Sequence, residues 1–163
     1  MRLPPFQALL DCHGRDVHRF LVASVGSVDA DDCYQETWLA ALRAYPRLRD
    51  ASNLRSWIFT IAHRKVIDHA RSRGRRAVPV AEVGEVGEVA DLAGEATLSE
   101  TVDGDIWARV ALLPDKQRTA LALRFIADSA YAEIATVMAT SEEAARRSVH
   151  EGLKRLRKEY QPS

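Results

Sequence analysis

The sequence predicts an all-α chain, two small helical domains joined by a flexible acidic linker. Three observations carry this prediction. Apolar residues recur at spacings of three and four through both ends of the chain, and no run alternates cleanly enough for a strand. A glycine-punctuated stretch rich in Val, Glu and Ala separates the two periodic blocks. The length, 163 residues, suits one ordinary domain or two small ones.

The first block, residues 1–76, opens with Phe6, Leu9, Leu10, Val17, Phe20 and Leu21 on one helical stripe. A second helix carries Cys33, Thr37, Ala40 and Ala41, with Tyr34, Trp38 and Leu42 in a neighbouring stripe. Pro46 ends it, because proline lacks the amide hydrogen that a helix interior needs. Asp50-Ala51-Ser52-Asn53 then supplies turn chemistry. Trp57, Ile58, Ile61, Ala62, Val66 and Ile67 give a third helix, so three or four helices are expected here.

Residues 77–104 have a different character. The repeat Glu82-Val83-Gly84-Glu85-Val86-Gly87-Glu88-Val89 holds no aromatic and no steady period. Such a segment cannot bury enough apolar surface to offset its ordering entropy, so it reads as the linker. Helical period returns in residues 105–163, at Ile106, Val110 and Leu113. Pro114 suits a first helical turn, and Asp115 sits near its positive dipole end. Leu121, Leu123, Phe125 and Ile126 are expected in the core, and Asp128-Ser129 ends that helix.

Two short helical patterns follow, meeting at a tight turn. Tyr131 to Ala139 is a short amphipathic segment. Thr140 and Glu143 have capping-box spacing and mark the start of the second helix. Ala145, Val149, Leu153 and Leu156 should pack inward, leaving Arg146, Arg147 and His150 outside. An exposed basic face is by itself only a solvated face. Behind a short helix, a turn and a cap it becomes a helix-turn-helix, whose second helix fits the major groove. Arginine there can grip guanine in bidentate fashion. Lys154, Arg155, Arg157 and Lys158 suit the C-terminal dipole or phosphate contact.

Formal charge sums to zero, but unevenly. Residues 1–79 carry 13 Lys/Arg against 8 Asp/Glu, residues 80–105 carry 8 acids and no base, and residues 106–163 carry 10 bases against 7 acids. Two basic blocks around an acidic strip suggest a polyanionic partner. In the first block His63-Arg64-Lys65, Arg71, Arg73, Arg75 and Arg76 form a second basic surface. It follows Trp57 and Phe59, which serve either as core or as stacking platforms for single-stranded nucleic acid. Asp29, Asp31, Asp32 and Glu36 favour a helix N-terminus, or form a docking face for a basic protein.

Cys12 and Cys33 are the only cysteines, without metal-ligand spacing, and are expected as two buried thiols in a reducing cytosol. No apolar run approaches a membrane span and no signal-peptide core is present, so a cytoplasmic location is expected. No metal, cofactor or catalytic group is read from the residues. A metal-dependent nuclease built on His63, Asp68 and His69 is the weakest rival, because no second carboxylate cluster completes its site.

The order of these segments resembles the extracytoplasmic-function sigma factors, the small two-domain initiation subunits of bacterial RNA polymerase. Asp29 to Trp38 is similar to the family's "DAEDLVQETF" segment, and Leu54 to Ala62 with Ile67-Asp68-His69 to "FRSWLFRIA…ID". Leu113 to Arg118 is similar to "LPERQR", and Tyr131 to Ala135 to "YAEIA". The resemblance implies that Asp32, Gln35 and Glu36 bind the clamp helices of core polymerase. It implies that the loop from Leu48 through Asp50, Ser52 and Asn53, with Arg64, captures a flipped −10 base, beside Lys65 and Arg71. It implies that Glu143, Arg146, Arg147 and His150 face the −35 duplex, and that the linker follows the polymerase's RNA path. An anti-sigma factor is a plausible further partner. The chain departs from the family at Arg64, often Asn, at Leu48, often aromatic, and at Ala139, where the family has a turn glycine. It also departs at Arg147-Ser148, which invert a polar-then-basic order. The alternative function is a free-standing helix-turn-helix transcription regulator that needs no polymerase.

Overall fold

The structure, a computed structural model, describes residues 3–76 and 102–160. Seven α-helices and one 3-10 turn lie within those residues. They are α1 (Phe6–Val25), α2 (Ser27–Ala44), the 3-10 turn Tyr45–Arg47, α3 (Leu54–Arg76), α4 (Val102–Val110), α5 (Asp115–Phe125), α6 (Tyr131–Met138) and α7 (Glu142–Tyr160). No strand occurs among the described residues. The linker expected at 77–104 lies outside them up to residue 101. Its last three residues belong to α4, which starts ahead of the period at Ile106.

Helices α1, α2 and α3 pack mutually. Val17, Phe20 and Leu21 of α1 meet Ile58, Phe59 and Ala62 of α3 at full burial. The Phe20 and Phe59 rings stand edge to face, centroids 5.5 Å apart. Each buried ring of this kind contributes about 1.5–3 kcal/mol. Gly26 makes the α1–α2 corner at φ 99, a backbone state that a side chain would strain. Its amide caps α1 by donating to the Val22 carbonyl. Pro46 ends α2 as expected, inside the 3-10 turn.

Helices α4 to α7 form the second block. Pro114 is the N-cap of α5 and not a residue of its first turn. Arg118 holds this corner by donating to the carbonyls of Ala111 and Leu113. The α5–α7 packing is close because Gly152 has no side chain: a Cβ there would lie 2.8 Å from Leu121 Cδ1. Ala145, Val149 and Leu156 pack inward from α7.

Several local expectations change. The α7 cap is Ser141, whose Oγ accepts the Ala144 amide at 3.0 Å, so the helix starts one residue beyond the Thr140–Glu143 spacing. The left-handed turn at Ala139 sets that shift, since it carries Thr140 back toward α6. Phe125 is 57% exposed, because the α5 core face is already filled by Leu121 and Leu123. Cys12 is exposed and only Cys33 is buried.

Candidate nucleic-acid interface

On α7, Glu143, Arg146, Arg147 and His150 are all exposed on the side away from buried Ala145 and Val149. The spacing of three, four and seven places them along one helical face. Arg146 is the most constrained. Its guanidinium donates to Glu142 Oε2 at 3.0 Å and stands 4.5 Å from the centroid of the Tyr131 ring. The preceding helix is capped by Glu133, whose carboxylate accepts the Ala130 amide at 3.1 Å. The turn joining α6 to α7 passes through Ala139 at φ 55 and ψ 50. This is where the sequence lacks the family glycine.

The residues assigned to −10 capture divide into four groups. Asp50, Ser52, Asn53 and Arg64 line one cleft of about 510 Å³, together with Trp57, Thr60 and Ile61. Asp50 folds the loop by accepting the Ser52 amide at 2.9 Å, which holds its carboxyl below the ordinary carboxylate value. Asn53 caps α3: its Oδ1 accepts the Ser56 amide at 3.0 Å. Trp57 is half-buried at the cleft wall, whereas Phe59 is 1% exposed and cannot stack on a base. Leu48 instead packs toward the core. Lys65 is turned by about 100° from Arg64 on the helix and lines another cleft. Arg71 is exposed but lines neither cleft.

The opposite wall of the first cleft comes from the second block. Ala132, Glu133 and Thr136 of α6 face the α3 residues across it. Asn53 Nδ2 donates to Glu133 Oε2 at 3.0 Å. Nearby, the half-buried His63 ring engages the Val137 carbonyl, while burial lowers its pKa below the ordinary value. Sequence reasoning missed this closure, because neither Glu133 nor Val137 carries any local signal of a partner some seventy or eighty residues away.

Asp32, Gln35 and Glu36 are exposed on α2. Leu39 and Leu42, each 50% exposed, continue that face; periodicity puts Leu42 on an apolar stripe with Tyr34 and Trp38 and does not mark Leu39. Beneath it Asp29, Asp32 and Glu36 meet Lys65, Asp68, His69 and Arg73 around a cleft of about 550 Å³. Asp29 Oδ2 lies 3.0 Å from His69 Nε2. The Cys33 thiol is pushed up to about 11, first by burial and then by Glu36, Asp29 and Asp32. His63 and His69 thus face different neighbours, and among the described residues no cluster of three or more His, Cys, Asp or Glu is placed to hold a metal. No described helix is long and apolar enough to cross a membrane.

Comparison with known proteins agrees with this arrangement. Residues 9–76 match Sigma-70 region 2 and residues 110–158 match Sigma-70 region 4. The ECF RNA polymerase sigma factor SigD of Mycobacterium tuberculosis is 34% identical over 88% of this chain and 71% of that protein. SigX of Bacillus subtilis, another ECF sigma factor, is 27% identical over 94% of this chain and 82% of that protein. Among solved structures, the sigma factor RpoE of Bartonella quintana, crystallised with the anti-sigma factor NepR, shares the fold with a TM-score of 0.75. It is 21% identical and each chain is covered to 94%. CnrH in complex with the cytosolic domain of CnrY has a TM-score of 0.65 at 21% identity, covering 93% of this chain and 84% of that one. The chain belongs to the ECF sigma factors of bacterial RNA polymerase.

Proposed function

We propose that residues 1–76 bind core polymerase and the opened −10 strand, and that residues 105–163 read the −35 duplex. The exposed Glu143, Arg146, Arg147 and His150 face of α7, backed by buried Ala145 and Val149, is the observation that carries this reading. A helix so presented can enter the major groove, where an arginine bidentate to guanine is worth about 1–3 kcal/mol of discrimination. Asp32, Gln35 and Glu36 contact the polymerase, and Leu39 and Leu42 add apolar area to that contact. The cleft of Asp50, Ser52, Asn53 and Arg64 receives the displaced base, with Trp57 as its aromatic wall. Arg71 serves the phosphates, while Lys65 belongs with the acidic α2 face. The protein acts in the cytoplasm, without covalent chemistry, since base capture and phosphate contacts offset unpairing.

Strand capture requires α6 to leave the cleft, because Asn53 Nδ2 and the cleft mouth are engaged by α6 in this arrangement. An anti-sigma protein, as crystallised with the RpoE relative, is a partner that could hold or alter this state. Run-off transcription with reconstituted polymerase on a promoter library tests the whole reading. Arg146→Ala or Arg147→Ala should weaken −35-dependent initiation while core binding by pull-down is kept. Normal transcription by both variants would refute the α7 assignment. Failure to bind core would favour a free-standing regulator.

A further inference from the structure

Three helices of the second block meet at one aromatic ring. Tyr131 is the first residue of α6, and Arg146 of α7 stands over it at 4.5 Å. Arg124, in the last turn of α5, stands over the same ring at 4.4 Å. The loop anchors Arg124 in turn, because its Nη1 donates to the Ser129 carbonyl at 3.0 Å. Two guanidiniums on one ring repel each other. The negative faces of the ring and the Glu142 carboxylate beside Arg146 offset that repulsion. Nothing in the local helical pattern requires this stack. A solvated arginine on α7 would meet its exposure equally well without Tyr131.

The consequence is a difference between neighbours on the same face. A free arginine side chain must be ordered before it can present its planar fork, whereas a stacked one already has its plane restricted. Bidentate recognition of guanine depends on that plane. Arg147 and His150 have no aromatic support among the described residues. We propose that Tyr131 is a specificity-determining positioning residue, which pre-aims Arg146 at one −35 base pair. Arg124, itself tied to the Ser129 carbonyl, steadies the ring, and Arg147 contacts DNA without such guidance. This rests on the reading of α7 as the recognition helix.

The test is a −35 library with each position randomised, transcribed by reconstituted holoenzyme carrying Tyr131→Leu, Tyr131→Phe, Arg146→Ala or Arg147→Ala. Arg146→Ala identifies the base pair that Arg146 reads. Tyr131→Leu should reduce discrimination at that same position by about two- to fivefold, the range that an exposed cation–π contact supports. Discrimination elsewhere should hold. Tyr131→Phe keeps the ring and should keep the discrimination. Thermal melting of each variant reports folding. A uniform fall in activity at every position, or equal loss in the Phe and Leu variants, would overturn the positioning role. So would an unchanged profile for Tyr131→Leu. If Arg146→Ala alters no single position, the recognition-helix reading fails first, a result distinct from failure of Tyr131.

Discussion

Replacing Ala139 by glycine should stabilise the second block. Ala139 sits at φ 55 and ψ 50, the left-handed state in which a Cβ crowds the following carbonyl. The turn enforces that state. The Thr140 amide donates to the Ala135 carbonyl at 2.9 Å, and the Ala139 amide reaches the Thr136 carbonyl at 3.3 Å. This is the reciprocal pattern by which a helix end satisfies its last carbonyls. Holding alanine there costs about 1–2 kcal/mol. Glycine removes that cost but enlarges the unfolded ensemble, taking back about 0.4–1 kcal/mol. The balance is a gain of roughly 0.5–1 kcal/mol, or about 2–8 °C for a small domain. Urea and thermal unfolding followed by circular dichroism measure it. Ala139→Val supplies the opposite arm, since a branched side chain is a worse occupant of this region. A lower midpoint for Ala139→Gly than for the parent would refute the assignment of strain to this turn.

Gly152→Ala should act the other way, although alanine is favoured over glycine in a helix by about 1 kcal/mol. The added Cβ would meet Leu121 Cδ1 at 2.8 Å, and Leu121 is only 2% exposed, so overpacking of about 1–3 kcal/mol outweighs the gain. A urea midpoint below the parent's is expected, and an increase would show that α5 and α7 can part without loss. Stability should also depend on pH through His63. Burial lowers its folded pKa below the ordinary 6.5, so the unfolded chain binds the proton more readily. Its contribution is therefore full above about pH 6.5 and falls away as pH drops through the lowered folded value. Burial also lowers His13, so His63→Gln should reduce the acid-side slope without abolishing it, as read from urea midpoints between pH 5 and 8.

How far the sequence carries is clearest at particular residues. The Asp50–Asn53 turn, the α2 stop at Pro46 and the inward stripe of Ala145, Val149 and Leu156 are all legible, because each depends on neighbours within a turn or two. The end of α6 is legible only in part. The resemblance marks Ala139 as a departure from the family's glycine, but the choice of Ser141 over Thr140 as cap depends on where the left-handed residue leaves the chain. Periodicity puts Phe125 inside, yet the α5 core face has room for Leu121 and Leu123 and not for a further ring.

The sequence by itself determined the all-α class, the two periodic blocks and the basic outer face of the last helix. Those follow from backbone hydrogen bonding and apolar spacing, which are local. Only the tertiary structure decided that Phe59 is core while Trp57 borders a cleft, and that Lys65 leaves Arg64 for the acidic α2 face. It alone brought Glu133 to Asn53, and Arg124 and Arg146 to one ring. Those juxtapositions depend on how whole helices dock, and docking is set by the summed fit of distant surfaces that no sequence window contains.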